Sequence, residues 1–158
     1  MSDEPLVQLL EVLQSSLAMY LADSGLSTYP GQPEIRLALA DLTSDHRNLV
    51  DRGAIVLEER QMAVPKSVYP LSYTGLHDVD LRHVVPRIVA ELRRQAGAFE
   101  RLASDPFDAM TAELAADALR STRQHIDVLE QIATRLRAGL STRQPAPAAA
   151  SAVAPAAS

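Results

Sequence analysis

The sequence predicts an all-α protein, a four-helix bundle in which a long connection joins the second helix to the third. First, aliphatic residues recur at alternating steps of three and four in four separate stretches, which is the spacing of one helix face. Second, prolines separate these stretches. Third, a chain of 158 residues without Cys can bury a substantial core without needing disulfides.

The first two predicted helices each carry one apolar stripe. The first covers residues 3–24 without interruption, and Gly25 ends it. The second covers residues 34–63, and Pro65 ends it because proline lacks the amide proton that helix propagation requires. Gly53 falls on the inner stripe of the second helix, so we expect another helix to approach closely there.

The last two predicted helices begin after capping carboxylates. The third begins near Asp80, and Pro86 predicts a kink or a late start within its first turns. The fourth has Asp105 as its cap and Pro106 as its first helical residue, and it continues to about residue 140. The connection before the third helix is therefore much longer than the other two.

The lengths of the connections restrict the topology. The second helix is about 45 Å long at ~1.5 Å per residue. The connection after it, residues 64–79, can extend about 50 Å at ~3.3 Å per residue, so it can cross the whole bundle. Because the other connections are short, we expect the ferritin-like arrangement with one crossover between helices two and three. A plain up-down bundle with an elaborated middle loop is the alternative.

Two segments lie outside the helical pattern. In the crossover, Tyr73, His77 and Asp78 either line a binding groove or attach the long connection to the bundle, and the second interpretation is favoured. Residues 1–143 form the predicted bundle domain, and residues 144–158 form a predicted disordered tail. Uncharged Ala, Pro and Ser without periodicity bury too little apolar surface to become ordered. The tail is a possible docking segment for a protein partner.

Composition argues against several classes of function. A net charge of −5 and a pI near 5.3 are not typical of a nucleic-acid-binding protein. The acidic N-terminus does not resemble a signal peptide, and no 18 apolar residues run together, so we expect a cytoplasmic protein without a membrane span. The sequence contains no phosphate loop, nucleophile elbow or Cys/His finger, which disfavours an enzyme.

Three potential metal ligands fall on or beside the inner helix faces. His46 lies on the inner face of the second helix, His125 on that of the fourth, and Glu91 borders the stripe of the third. Because both histidines lie near mid-length of antiparallel helices, we expect them at one level. With Asp45 as a possible fourth ligand, this set suits a divalent transition metal. The alternative is a pair of buried histidines hydrogen-bonded to neighbouring hydroxyls or a carboxylate.

The run His125-Ile-Asp-Val-Leu-Glu130 resembles the His-Ile-Asp-x-Leu-Glu signature in the last bundle helix of bacterioferritins. Leu49-Val-Asp-Arg52 is similar to the second helix of that family. Val89-Ala-Glu-Leu92 is similar to the third-helix segment that supplies a bridging glutamate. The resemblance extends over all four helices, about 130 residues, and it implies a ferritin-like bundle.

Position by position, the resemblance implies a depleted di-iron site. Bacterioferritins bind two irons through a Glu from each of two helices and a Glu-x-x-His from each of the others. His125 and Glu91 match this pattern. However, Thr122 stands where the glutamate partner of the histidine is expected, and Leu13 stands at the first-helix ligand position. A site with so few carboxylates neutralises two ferric ions poorly, which disfavours ferroxidase activity.

The resemblance leaves two registers open in the second helix. Either His46 stands at the histidine position with Thr43 at that of its glutamate, or Asp45 and Leu42 occupy these places.

Two functions follow as predictions. The first is an oligomeric, ferritin-like interaction module without ferroxidase activity. The second is the binding of iron or another divalent metal through the rearranged His/Glu site. Both predict a homo-oligomer, a dimer or higher, because the second helix has apolar residues off its main stripe: Leu37, Val50, Ile55 and Leu57.

Overall fold

The computed structural model of the protein describes residues 4–26, 29, 31–76 and 79–142. These residues form α-helices and one short 3₁₀ helix, and they contain no β-strand. The predictions for His77, Asp78 and the tail at 144–158 lie outside the described residues. The helices are α1 (Pro5–Gln14), α2 (Leu17–Asp23), α3 (Pro33–Glu59), α4 (Leu81–Ala103) and α5 (Ala109–Thr142), and the 3₁₀ helix spans Leu71–Leu76.

The core consists of two apolar clusters, which show the direction of each helix. What we call the upper cluster joins α2 to the first halves of α3 and α4 and to the second half of α5, through residues that include Leu17, Leu21, Ile35, Leu39, Leu42, Leu81, Val85, Ile88, Leu92, Ile126 and Leu129. The lower cluster joins α1 to the opposite halves, through residues that include Leu6, Leu10, Leu13, Leu49, Leu57, Phe99, Leu114 and Ala118. The helices α3 and α4 therefore run in the same direction, and α5 runs against both.

The connection between α3 and α4 leaves the lower cluster and enters the upper one. It contacts the bundle on the way, since Tyr69 hydrogen-bonds Asp23 and the ring of Tyr73 is buried 5.5 Å from that of Tyr20. These contacts favour the interpretation in which the connection is attached to the bundle. The helix directions are compatible with the predicted four-helix bundle with a crossover.

The first predicted helix is divided into α1 and α2, which meet at 55°. The Ser15 hydroxyl donates to the carbonyl of Glu11 at 2.6 Å, and Ser16 adopts an extended conformation in which its hydroxyl accepts from the Met19 amide. Serine hydroxyls compete with helix propagation by bonding to nearby backbone groups. The prediction of one continuous helix over residues 3–24 is therefore wrong.

None of the described helices is by itself long and apolar enough to cross a membrane. Taken as one segment across their 55° bend, α1 and α2 together have the length and apolar composition of a membrane span.

The predicted end of the second helix and the predicted start of the fourth are also wrong. The helix α3 ends at Glu59, because Gln61 adopts a left-handed conformation with φ 57°. The helix α5 begins after Asp108, which accepts hydrogen bonds from the amide and the hydroxyl of Thr111 at 3.1 and 2.6 Å. Asp105 instead accepts a hydrogen bond from the Phe107 amide in the junction.

The third predicted helix begins directly after Asp80, the capping residue that the sequence predicted. Asp80 accepts a hydrogen bond from the Arg82 amide at 2.9 Å, and α4 starts at Leu81. The helix then continues through Pro86, so the predicted late start is wrong. The ring of Pro86 is exposed on the outer side of α4.

Gly53 lies at a close contact between α3 and α1. A Cβ atom on Gly53 would lie 2.6 Å from Cδ2 of Leu10, which is fully buried. This contact confirms the predicted close approach of a helix at Gly53, since any larger side chain would displace Leu10.

Candidate functional site

A layer of buried polar side chains separates the two apolar clusters. On every helix of the bundle this layer falls between the last residue of one cluster and the first residue of the other. Aliphatic side chains therefore fill both ends of the molecule, while its middle is polar. We call this level the polar layer, and its buried polar residues are Ser16, Thr43, His46, Gln95 and Thr122.

His46 is fully buried in the polar layer, as its place on the inner stripe predicted. Neither Nδ1 nor Nε2 has a hydrogen-bond partner within the described part of the chain. Burial lowers the pKa of His46 to about 4, the charge of His125 lowers it further, and Asp45 opposes this effect. His46 is therefore neutral at pH 7.

His125 and Asp45 form a pair at the edge of the polar layer. Nε2 of His125 lies 2.6 Å from Oδ2 of Asp45, and the Ser121 hydroxyl donates to the same oxygen at 3.3 Å. The side chain of His125 is 12% exposed and that of Asp45 is 54% exposed. His125 thus bonds to a carboxylate across the bundle, which is the alternative to a metal ligand that the sequence left open.

Glu91 lies in a different network, where it holds the bend between α1 and α2. Its two carboxylate oxygens accept the Leu17 amide at 3.1 and 3.2 Å. The Gln95 side-chain amide donates to it at 3.2 Å, and the Tyr73 hydroxyl donates at 3.3 Å. Burial raises the pKa of Glu91, and the hydrogen bonds from Leu17 and Tyr73 oppose this effect. The carboxylate therefore joins α4, α2 and the crossover.

Of the four predicted metal ligands, only His125 and Asp45 are hydrogen-bonded to each other. The charges of both act on the buried His46, while the hydrogen bonds of Glu91 hold α2 and Tyr73. Within the described ranges, no three His, Cys, Asp or Glu side chains are grouped in a way that could hold a metal ion.

The residues present do not fit a di-iron centre. Leu13 is buried in the lower cluster, and Thr122 is buried in the polar layer, where its hydroxyl has no hydrogen-bond partner among the residues that the structure describes. Neither position supplies the carboxylate that the bacterioferritin pattern requires.

A groove of about 710 Å³ lies between α4 and α5. Its floor is mostly apolar, and the ion pair between Arg93 and Glu130 lies on its rim. Arg137 and Arg82, which is itself paired with Asp80, add two further cations to the rim, so arginines outnumber carboxylates in the lining. We call it the α4–α5 groove, and its apolar lining residues are Val85, Pro86, Val89, Ala90, Ala133 and Leu136.

The three comparisons with known proteins found no match: no protein-family model, no curated protein and no solved structure matches the chain. The run from His125 to Glu130 has a structural explanation within this chain. Ile126 and Leu129 fill the upper cluster, His125 pairs with Asp45, and Glu130 pairs with Arg93. The resemblance to bacterioferritins stays a prediction from sequence.

The α4–α5 groove was not predicted from the sequence. Several of its lining residues lie beside the apolar stripes and are only partly buried, so the spacing of the stripes does not reveal them. One usable signal was present, because Arg82 and Arg93 flank the stripe of α4 with the small residue Ala90 between them. Arginine is enriched at protein interfaces, so arginines that flank an apolar stripe indicate a candidate surface for a partner.

Proposed function

We propose that the protein is an interaction module of ferritin-like architecture that lacks ferroxidase activity and binds a helical partner in the α4–α5 groove. The single observation that carries this proposal is the groove itself, an apolar floor with arginines at its rim. A groove of this kind suits recognition of a helix by its apolar face. The partner in this proposal is an amphipathic helix whose apolar stripe is flanked by carboxylates.

The residues at the positions where bacterioferritins have iron ligands support a role without iron chemistry. Glu91 accepts hydrogen bonds from backbone and side chains, Leu13 packs in the lower cluster, and Thr122 carries no carboxylate. A cytoplasmic location remains part of this proposal.

A synthetic helical peptide tests the interaction role. The probe has a leucine stripe flanked by glutamates, and we expect it to bind the full-length protein with a Kd of about 1–100 µM, the affinity of a small interface. The substitution Ala90→Glu places a carboxylate at an exposed position of the groove and is expected to weaken binding at least about tenfold. Fluorescence anisotropy of the labelled peptide measures both affinities.

The matched control is Ala116→Glu, since Ala116 is an exposed alanine of α5 outside the groove. This variant is expected to bind the peptide like the wild type. Equal affinity for all three proteins, or no binding to any of them, would contradict the proposed use of the groove.

A second candidate function is the binding of one divalent ion, such as iron or zinc. The observation that favours it is the position of His46, whose two buried nitrogens have no partner among the described residues and which is affected by the charges of His125 and Asp45. Neutral imidazole nitrogens and a carboxylate oxygen are common ligands of such ions. Glu91 would have to leave its hydrogen bonds to join this set, and these bonds favour the interaction role.

Metal analysis separates the two candidates. We expect the protein, purified from medium supplemented with iron and zinc, to hold less than about 0.1 equivalent of metal per chain and to oxidise Fe²⁺ no faster than buffer. The variants His125→Ala and His83→Ala are compared, because His83 is an exposed histidine outside this cluster. A stoichiometric metal content that His125→Ala loses and His83→Ala keeps would instead establish the metal-binding function.

A further inference from the structure

We propose that the partner helix of the α4–α5 groove is the outer face of α3 in a second copy of this chain. The inference rests on the proposed interaction role and adds the identity of the partner. The segment concerned is Asp51, Ile55, Glu58 and Glu59, which we call the α3 ridge. The ridge and the groove are separate surfaces, since α3 contributes no residue to the groove lining.

The α3 ridge has an apolar side chain that the fold leaves uncovered. Ile55 is 58% exposed, although Val56 and Leu57 beside it are buried in the lower cluster. Leu57, predicted to belong to an exposed apolar face, is fully buried. The outer apolar surface of α3 is therefore confined to separate positions such as Ile55 and Leu37, rather than forming the broad face that the sequence predicted.

Three carboxylates and one arginine are neighbours of Ile55 on its helix face. The arginine, Arg52, lies three residues before Ile55 and forms an ion pair with Asp117 of α5. Of the three carboxylates, Asp51 lies four residues before Ile55, and Glu58 and Glu59 lie three and four residues after it. All three side chains are exposed, and the structure gives none of them an ion pair within the described residues. The α3 ridge thus has the chemistry that the groove requires, one apolar side chain among free carboxylates.

The charge of the two surfaces is complementary. The helix α3 carries six carboxylates and three arginines, listed in chain order as Glu34, Arg36, Asp41, Asp45, Arg47, Asp51, Arg52, Glu58 and Glu59. The helix α4 carries five arginines and only two carboxylates, and the groove lining itself has three arginines, Arg82, Arg93 and Arg137, against one carboxylate, Glu130. Opposite charges on facing surfaces favour association and select its orientation.

The lengths of the two surfaces also agree. The groove runs along α4 from Arg82 to Arg93, about 16 Å at ~1.5 Å per residue. The α3 ridge from Asp51 to Glu59 spans about 12 Å on the same scale. The ridge therefore fits within the groove, with Ile55 on the apolar floor and carboxylates near the arginines of the rim.

This contact joins unlike surfaces of the two copies. Each copy offers one ridge and one groove, so a first contact leaves a free ridge on one copy and a free groove on the other. Assembly then continues until a ring closes or a chain of copies is formed. If one variant has a blocked ridge and the other a blocked groove, the free ridge of the second can still bind the free groove of the first. Such a mixture can therefore form a dimer but no larger assembly.

The experiment uses Ile55→Arg to block the ridge and Ala90→Glu to block the groove. Both positions are exposed, so neither change disturbs the core. Ile55→Arg replaces the apolar contact with a cation that faces the arginine rim, and Ala90→Glu places a carboxylate opposite those of the ridge. The matched controls are Leu37→Arg, exposed elsewhere on α3, and Ala116→Glu, exposed elsewhere on α5.

Sedimentation velocity of the full chain, from about 1 µM to about 1 mM, measures the association. We expect the wild type and both controls to exceed one chain of 17.1 kDa, and each blocked variant alone to remain at that mass. An equimolar mixture of the two blocked variants is expected to give a species of about 34 kDa, two chains, and nothing larger. The wild-type association is expected to weaken at least tenfold when NaCl is raised, because charges contribute to it.

Three results would overturn the inference. These are a wild type that stays at one chain over the whole range, a mixture that shows no dimer, or a wild-type mass that only one of the two variants reduces. If the wild type is monomeric while the acidic peptide still binds the groove, the proposed interaction role holds and a second copy is not the partner. If the peptide also fails to bind, both are wrong.

Discussion

Lowering the pH from 7 to 4 is expected to cost the protein about 3 kcal/mol of unfolding free energy through His46. In the unfolded chain His46 takes up a proton near pH 6.5, whereas burial and the charge of His125 lower its pKa in the folded protein to about 4. The unfolded state therefore binds more protons between these two values. The contribution of His46 to the free energy of unfolding is therefore greatest above pH 6.5 and falls as the pH decreases to about 4. Below pH 4 this contribution does not decrease further.

The substitution His46→Leu is expected to remove this pH dependence. Neither imidazole nitrogen makes a hydrogen bond within the described ranges of the chain, so a leucine leaves no partner there unpaired. Stability at pH 7 should therefore stay equal or rise by about 1 kcal/mol. Urea denaturation between pH 4 and pH 8 gives the difference between wild type and variant. The contribution of Glu91, whose pKa is raised and whose effect has the opposite sign, cancels in that difference.

His83→Gln serves as the control for His46, because His83 is exposed on α4. It is expected to retain the full pH dependence of the wild type. The explanation fails if His46→Leu loses stability between pH 6.5 and 4 as steeply as the wild type does.

Glu91→Ala is expected to destabilise the protein by about 2–4 kcal/mol and to lower the Tm by about 10 °C. The change leaves the Leu17 amide without its acceptor at the first turn of α2, and it removes the acceptor of Tyr73 and Gln95. Calorimetry measures the shift in Tm. Amide exchange at Leu17 reports the local effect, since this amide should lose its protection in the variant.

Two further variants separate the hydrogen bonds of Glu91 from its charge. Glu91→Gln keeps one acceptor oxygen, so it should cost about half as much as alanine. Glu100→Ala removes an exposed glutamate of the same helix and is expected to change stability by less than about 0.5 kcal/mol. A metal-free protein in which Glu91→Ala is as stable as Glu100→Ala would show that Glu91 does not hold the bend.

The sequence predicted the buried helix faces better than the helix ends. The apolar stripes placed His46 and Gly53 inside, and both predictions are confirmed, because burial of aliphatic side chains decides which face turns inward. The break at Ser16 was missed because Leu13 and Leu17 continue the apolar spacing across it. The break depends on hydrogen bonds between serine hydroxyls and the backbone, and the spacing of apolar residues contains no information about such bonds.

The candidate site was only partly predicted, because spacing along the sequence gives the level of a side chain but not its hydrogen-bond partners. The level shared by His46 and His125 follows from helix lengths and directions, which spacing reveals. The direction in which Glu91 points does not follow from the spacing. Its carboxylate accepts a hydrogen bond from the Leu17 amide at the bend between α1 and α2, and the apolar pattern does not predict this bend. The α4–α5 groove was missed because it forms only when two helices are docked.

The long connection divides the protein into two helical hairpins. The segments α1, α2 and α3 form one, and α4 with α5 forms the other, and the connection within each is shorter than the one between α3 and α4. Local contacts can assemble each hairpin early in folding, whereas their docking must close a longer loop and is slower. Lys66, the sole lysine of the chain, is exposed in that connection. A protease specific for lysine would therefore cut the chain once and yield two complementary fragments that the shared clusters, rather than a peptide bond, hold together.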